Sequence, residues 1–130
     1  MNKTLTAAQK AWIVALRSGK YKQGKDQLQS GQKFCCLGVA CLVYEEETGN
    51  KLMRSASNAL MGLDLDFYED VQNWLSLRNP SGKGEKCKRE NNLINLNDGG
   101  HTFDEIADII EKNTEDYFYD KAVVKYNDLI

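Results

Sequence analysis

Residues 34–47 read FCCLGVACLVYEEE, and this stretch decides the fold. Its first ten residues are apolar or small, acids follow them, and Thr48-Gly49 closes the segment. The length of the run and the terminal glycine favour a helix over a strand. An apolar run of this kind has no solvent-facing stripe, so we expect a buried helix in which Gly38 allows close packing.

Two helices are predicted on either side of this run, because each begins with a capping box. Thr6 and Gln9 form the first box, and Gly19 is the natural end of the helix that follows. Thr102 and Glu105 form the second, which opens a helix over residues 103–112. Apolar residues recur at helical spacing in both. The two stripes are Ala8, Trp12, Ala15 and Leu16, and Phe103, Ile106, Ala107 and Ile110.

The connecting segments are less regular. Residues 20–34 predict an irregular hairpin or an extended loop, and residues 66–77 predict a short helix that turns Val71, Trp74 and Leu75 inward. The segment 79–84 is a loop, 93–96 is a strand or a helical turn, and 97–100 turns the chain. No prediction is made for 50–65.

The predicted fold class is α+β and mainly helical, as a compact single domain of about four helices with a small hairpin or short strands. Residues 1–130 are expected to form that domain, with 113–130 a tail or an oligomerisation element. The expected core residues are Trp12, Leu16, Leu37, Val39, Trp74, Phe103, Ile106 and Ile110.

Composition excludes several classes of protein. The chain has 130 residues, 42% of them hydrophobic and 28% charged, with a formal net charge of −2. This composition is globular, and the charge argues against coating nucleic acid or an anionic membrane. No apolar run is long enough to span a bilayer, and the first residues have no apolar signal region. A cytoplasmic protein is therefore expected.

Charge is unevenly distributed, since residues 1–33 are basic and residues 102–130 are acidic. The basic segment includes an aromatic residue, and such a segment offers cations to phosphates and a ring to a base. The turn at 97–98 adds groups that read a base by hydrogen bonding. The candidate ligand-binding residues are Arg17, Lys20, Tyr21, Lys22, Gln23, Asn97 and Asp98. A solvated hairpin and a turn fixed by Asx hydrogen bonds are the alternatives.

The four cysteines are interpreted as buried, reduced thiols. Cys36, Cys41, Cys87 and His101 form a permissible zinc ligand set, but their spacing matches no finger or ribbon. Thiol catalysis would need Cys35 or Cys36 with His101 as its base, and close packing of small residues explains the run more simply. We therefore expect no metal, no cofactor and no enzymatic activity.

The stretch 96–107 has the pattern of the first half of a helix-turn-helix. A recognition helix should follow a short turn and direct basic or amide side chains to bases. The six residues after Ile110 hold three acids and one lysine, and this net negative charge is wrong for a phosphate-lined groove. DNA binding is therefore a minor alternative.

Three blocks together resemble a group of small uncharacterised proteins encoded by phages and prophages. The blocks are WxxALRSGxYxQG at 12–24, FCCLGVxC at 34–41 and LNDxGxTFxxIADxI at 96–110, and the resemblance covers most of 10–112. The resemblance implies a phage setting and a compact domain. It assigns no activity and no catalytic residue.

The phage setting suggests counter-defence in the host cytoplasm. The leading hypothesis is a nucleotide sponge, which, like Thoeris anti-defence proteins, sequesters a cyclic ADP-ribose isomer or a cyclic oligonucleotide. This hypothesis comes from the setting and from the candidate residues, which suit a small anionic nucleotide. A homo-oligomer is expected. The alternative is a protein that binds and inhibits a host defence enzyme.

Overall fold

The computed structural model describes residues 4–84 and 92–119. The architecture is α+β and mainly helical, which confirms the predicted class. The helices are α1 (Ala7–Arg17), α2 (Cys36–Thr48), α3 (Glu69–Leu75), α4 (Leu93–Asp98), α5 (Phe103–Lys112) and α6 (Thr114–Tyr117), with a 3-10 helix at Leu65–Phe67. The strands are β1 (Lys22–Gln23), β2 (Gln29–Ser30) and β3 (Lys33–Phe34). None of the helices in these described ranges has the length and apolarity needed to cross a membrane.

Both predicted capping boxes are present. In α1, the hydroxyl of Thr6 accepts the Gln9 N–H at 3.1 Å, and the Gln9 side chain accepts the Thr6 N–H at 3.0 Å. Thr102 and Glu105 make the same pair of bonds at the start of α5. Gln9 is itself buried, and its amide nitrogen donates to the Leu75 carbonyl at 2.8 Å. The first box therefore also ties α1 to α3.

The predicted buried helix is α2, which contacts α1, α3, α4 and β3. Its N-cap is Cys35, whose sulfur accepts the Gly38 N–H at 3.4 Å, and it ends at Gly49 in the left-handed region (φ 77°). A methyl group at Gly38 would overlap the carbonyl oxygen of Leu28. Gly38 therefore lets the β-segment lie directly against the helix.

Residues 20–34 form the irregular extended element that the sequence predicts. The three strands have the order β1-β3-β2, with β1 parallel to β3 and β2 antiparallel to it. The β2–β3 hairpin turns at Gly31, which has a φ of 62°. The Cys35 N–H donates to the Leu28 carbonyl at 3.2 Å, which holds this sheet against the start of α2.

The predicted core is confirmed for seven of its eight residues, and the prediction for Trp74 is wrong. Trp74 is half-buried and packs edge-to-face on Tyr44, with ring centroids 5.6 Å apart. The physical reason is the position of the residue around the helix axis, since Val71 and Leu75 lie one turn apart on the buried side of α3 and Trp74 lies beside them.

Part of the predicted tail belongs to the core. Tyr117 and Phe118 are buried, and Phe118 forms a β-bridge with Leu77. The Tyr119 N–H donates to the Ser76 carbonyl at 2.7 Å. These contacts attach residues 114–119 to the end of α3. The other apolar tail residues, Val123, Val124 and Tyr126, lie outside the described residues.

Candidate functional site

The basic segment and the end of α4 meet in space. The side-chain nitrogen of Gln23 donates to Oδ1 of Asn97 at 2.8 Å and to the His101 carbonyl at 2.7 Å. The side-chain nitrogen of Asn97 donates to the Gly24 carbonyl at 2.8 Å. Asn97 is completely buried. Two of the predicted ligand-reading groups therefore bind each other and the backbone.

The same amide also holds the start of α2. Oδ1 of Asn97 accepts the Cys36 N–H at 3.2 Å, and the Trp12 indole donates to the Cys36 carbonyl at 3.0 Å. We call the group Gln23, Gly24, Cys36 and Asn97 the Asn97 junction. It joins β1, α2 and α4, and it brings together the three sequence blocks.

The turn predicted at 97–100 lies later than expected. Asn97 and Asp98 form the last turn of α4, and the chain turns at Gly99 and Gly100. Oδ1 of Asp98 accepts the Asp26 N–H at 3.0 Å. Within residues 4–84 and 92–119, every buried side-chain nitrogen or oxygen has a hydrogen-bond partner. The polar atoms of the junction are thus used by the fold.

Arg17 faces α5 and not the junction. Its guanidinium bonds Asp108 at 2.8 Å and also bonds Glu111. The hydrogen bonds that Arg17 donates to Glu111 and Asp108 raise the pKa of Arg17 above its usual value. The predicted phosphate-binding cation is therefore already paired with two carboxylates.

Lys20 and Tyr21 line an open cavity of about 260 Å³ between α1 and α2. The lysine nitrogen lies 5.4 Å from the centre of the Tyr21 ring and 3.7 Å from a carboxylate oxygen of Glu46. Glu46 and Glu47 also line the cavity, with Val14 and Val43 as apolar neighbours. Carboxylates at the rim repel phosphate, so this cavity is not a purely cationic site.

Lys22 lies opposite Lys33 in the register of β1 and β3, and both side chains are exposed. Like charges on neighbouring strands repel each other. Neither lysine has an ion pair with a carboxylate in the described part of the chain. This pair is an accessible cationic feature of the basic segment.

The thiols are buried. Cys35, Cys36 and Cys41 are each no more than 1% exposed. Burial raises the pKa of Cys35 to about 11 and raises the pKa of Cys36 and Cys41 as well. Such thiols are poor nucleophiles at neutral pH. No cluster of potential metal ligands occurs among the described residues, and Cys87 lies outside them.

The segment after α5 does not have the shape of a recognition helix. α6 covers four residues, and Glu115 and Asp116 lie in its first turn. A helix that reads bases enters the major groove with polar or basic residues. The length and charge of α6 therefore weigh against the helix-turn-helix alternative.

The comparisons place the chain in one family. A family model described as a domain of unknown function, DUF8296, matches residues 1–114. The chain belongs to the DUF8296 family. No curated protein and no solved structure matches it. The DUF8296 match includes every residue of the Asn97 junction.

A surface that the sequence analysis missed lies in residues 53–70 of this DUF8296 chain. Met53 is 77% exposed, Phe67 66% and Leu63 65%. Met53 and Phe67 line one open cavity of about 280 Å³, which also has Lys51, Leu52, Tyr68, Glu69 and Asp70 in its wall. The spacing of the three apolar residues follows neither a helix nor a strand, so no periodic pattern marks them. The only signal in the sequence is apolar residues interleaved with acids.

We call the exposed Met53 and Phe67, which line one cavity, together with the acids of the same segment, Asp64, Asp66, Glu69 and Asp70, the Phe67 face. Two features hold it in the DUF8296 fold. The Tyr68 hydroxyl donates to the Met53 carbonyl at 2.7 Å and accepts the Met61 N–H at 2.9 Å. The Phe67 ring lies over Gly62, where an added methyl group would be 2.9 Å from Cδ2 of the ring. Gly62 has a φ of 92°, which glycine adopts without strain.

Proposed function

We propose that this DUF8296 chain is a phage counter-defence protein that acts in the host cytoplasm by binding and blocking a host protein. The observation that carries the mode of action is the Phe67 face. Exposed apolar side chains that cluster with a polar rim are typical of protein interaction sites. Phe67, two-thirds exposed yet fixed over Gly62, has the character of an interface anchor.

The phage setting is supported by the resemblance of the three sequence blocks. Binding without catalysis is supported by the state of the candidate reactive side chains. The thiols that the chain offers as nucleophiles at Cys35 and Cys36 are buried and their pKa values are raised. The amides of Gln23 and Asn97 are bonded within the fold.

The test is a plaque assay in hosts that carry active defence systems. The wild-type protein is expected to restore plaque formation in at least one such host, and Phe67→Ser is expected to lose that effect. Val14→Ser is the matched control, because Val14 is 65% exposed and lies outside the face. A photo-crosslinking residue at position 67 should capture a host protein that position 14 does not.

Retained rescue by Phe67→Ser, with no crosslink specific to position 67, would contradict this proposal. Both variants change exposed side chains and should melt within a few degrees of the wild type. Circular dichroism melts therefore show that a loss of rescue is not a loss of folding.

The second candidate is the nucleotide sponge, and the Lys22–Lys33 pair favours it. Two adjacent cations that have no ion pair within residues 4–84 and 92–119 suit the phosphates of a cyclic nucleotide, and Tyr21 is next to Lys22 in the chain. Native mass spectrometry with cyclic ADP-ribose isomers and cyclic dinucleotides measures both the bound ligand and the subunit count. A sponge predicts a bound ligand that is lost in a Lys22→Gln, Lys33→Gln variant and kept in Lys51→Gln.

A further inference from the structure

We infer that the Phe67 face accepts a basic amphipathic segment of the partner protein, which inserts an apolar side chain between Met53 and Phe67. This inference rests on the proposed function and names the chemistry of the partner. It is drawn from the exposed apolar centre of the face, the charge around it and the contacts that fix its shape.

The centre of the face has room for one large side chain. The cavity between Met53 and Phe67 measures about 280 Å³ and is open to solvent. Leu52 and Tyr68 also line it beside the charged Lys51, Glu69 and Asp70, so an entering side chain meets apolar groups within a mainly polar wall. Burying a leucine or phenylalanine side chain there contributes favourably, since the apolar area of both partners leaves water.

The rim of the face is acidic. Asp66, Glu69 and Asp70 are exposed, Asp64 is half-buried, and Lys51 is the cation in the cavity wall. None of the four carboxylates has an ion pair within the described residues. A partner with lysines or arginines around its apolar anchor would complement this rim, whereas an acidic partner would be repelled.

Some of these acids also have local roles. Asp64 caps the 3-10 helix by accepting the Asp66 N–H at 2.9 Å, and Glu69 and Asp70 lie in the first turn of α3, where negative charge is favourable. The Asp66 carboxylate makes no hydrogen bond or ion pair with the described residues. Asp66 is therefore an acid whose charge is available to a partner.

The face is preorganised. Leu65 is buried and its N–H donates to the Pro80 carbonyl at 3.0 Å, while the Leu28 N–H donates to the Gly62 carbonyl at 3.0 Å. On the other side, Arg54 makes a two-bond ion pair with Glu45, with both nitrogen–oxygen distances 2.7 Å. A surface that is fixed before binding loses less entropy when it binds.

The test uses a synthetic amphipathic helical peptide with a leucine stripe flanked by lysines. Its controls are a twin flanked by glutamates and a scrambled lysine peptide with no stripe. Fluorescence anisotropy is expected to show binding of the lysine peptide alone. The affinity should fall about tenfold between about 50 mM and about 300 mM salt, because the rim charges are exposed.

Three variants of the full chain make the measurement specific to the face. Phe67→Ser should weaken binding at least about tenfold. Asp66→Asn should weaken it less and flatten its salt dependence, and Val14→Ser should leave it unchanged. Equal binding of the glutamate twin, or unchanged binding by Phe67→Ser, overturns the inference.

The outcome is separable from that of the proposed function. If position 67 crosslinks to a host protein whose contacting surface is neutral or acidic, the inference is overturned and the proposed function stands. Peptide binding as described, without any loss of plaque rescue in Phe67→Ser, would support the inference and contradict the proposed function.

Discussion

Gln23 and Asn97 bond each other through their side-chain amides at 2.8 Å, across 74 residues of sequence. Asn97 also bonds the Gly24 carbonyl and the Cys36 N–H. One buried amide thus satisfies backbone groups of the β-segment and of the start of α2. Backbone groups at these places would otherwise be buried without partners, which is costly.

Replacing Asn97 with alanine should therefore destabilise the protein by about 3 kcal/mol, because it leaves Cys36 N–H and Gly24 C=O without this partner. Urea unfolding followed by circular dichroism measures the change. Lys22→Gln, an exposed neighbour of the junction, should change the free energy of unfolding by less than about 0.5 kcal/mol. A small effect of Asn97→Ala would mean that the amide is not a structural group.

Gly38→Ala should lower the stability of the protein, although alanine is ordinarily the better helix former, because the added methyl group overlaps the Leu28 carbonyl oxygen. A backbone carbonyl cannot move away from the methyl group as easily as the end of a flexible side chain can. Overpacking of this kind lowers the free energy of unfolding by about 1–3 kcal/mol. Gly99→Ala is the milder control, since its methyl group would lie 2.9 Å from the Asn95 carbonyl oxygen at an exposed helix end. Thermal melts should rank Gly38→Ala well below Gly99→Ala, and the reverse order would contradict this account of α2.

Glu45 should make stability depend on pH. The hydrogen bonds from Arg54 lower the pKa of the Glu45 carboxyl, and the Leu52 N–H adds to the effect. Its stabilising contribution is complete above the pKa of an unfolded glutamate, about 4.3. It is lost as the pH falls through the lower pKa of the folded state.

Glu45→Gln is expected to cost about 2 kcal/mol at pH 7, a value typical of hydrogen bonds to charged groups. The difference from the wild type should shrink toward zero at acidic pH, as measured by urea unfolding from pH 7 to pH 3. Glu47→Gln, on the exposed side of the same helix, should cost less than about 0.5 kcal/mol. If the difference in free energy of unfolding between the wild type and Glu45→Gln grew as the pH fell, the expected pH dependence would be wrong.

The native thiols should resist modification. Because burial raises the pKa of Cys35 to about 11, only about one thousandth of that thiol is ionised at pH 8. In a Cys87→Ser variant, an aromatic disulfide reagent should label Cys35, Cys36 and Cys41 only after guanidinium unfolding. Rapid labelling of the folded variant would reopen thiol chemistry as a function.

The elements that the sequence predicts well are those with local signals. A capping box is a local signal, because its two residues are only three positions apart. The boxes of Thr6 with Gln9 and of Thr102 with Glu105 therefore place the starts of α1 and α5 where predicted. The alternative roles of Asn97 could not be separated in this way. An amide suits a turn, a ligand and a buried bond equally well, and only the contact with Gln23 decides among them.

The Phe67 face was beyond sequence reasoning for a physical reason. Its shape depends on bonds from Tyr68 to the backbone at Met53 and Met61, and from Leu28 to Gly62. These are tertiary contacts that leave no periodic pattern. The same limit explains Trp74, whose burial depends on how α3 is rotated against the core and not on its own hydrophobicity.

The span of the Gln23–Asn97 bond has a consequence for the chain as it leaves the ribosome. When α1, the β-segment and α2 have emerged, the amide that satisfies Gly24 and Cys36 is still to be synthesised. Until α4 has left the exit tunnel, the Gly24 carbonyl and the Cys36 N–H of the nascent chain therefore lack the partner that they have in the folded protein. Folding of this protein should consequently be a late, nearly all-or-none event during translation, rather than a gradual assembly from the N-terminus.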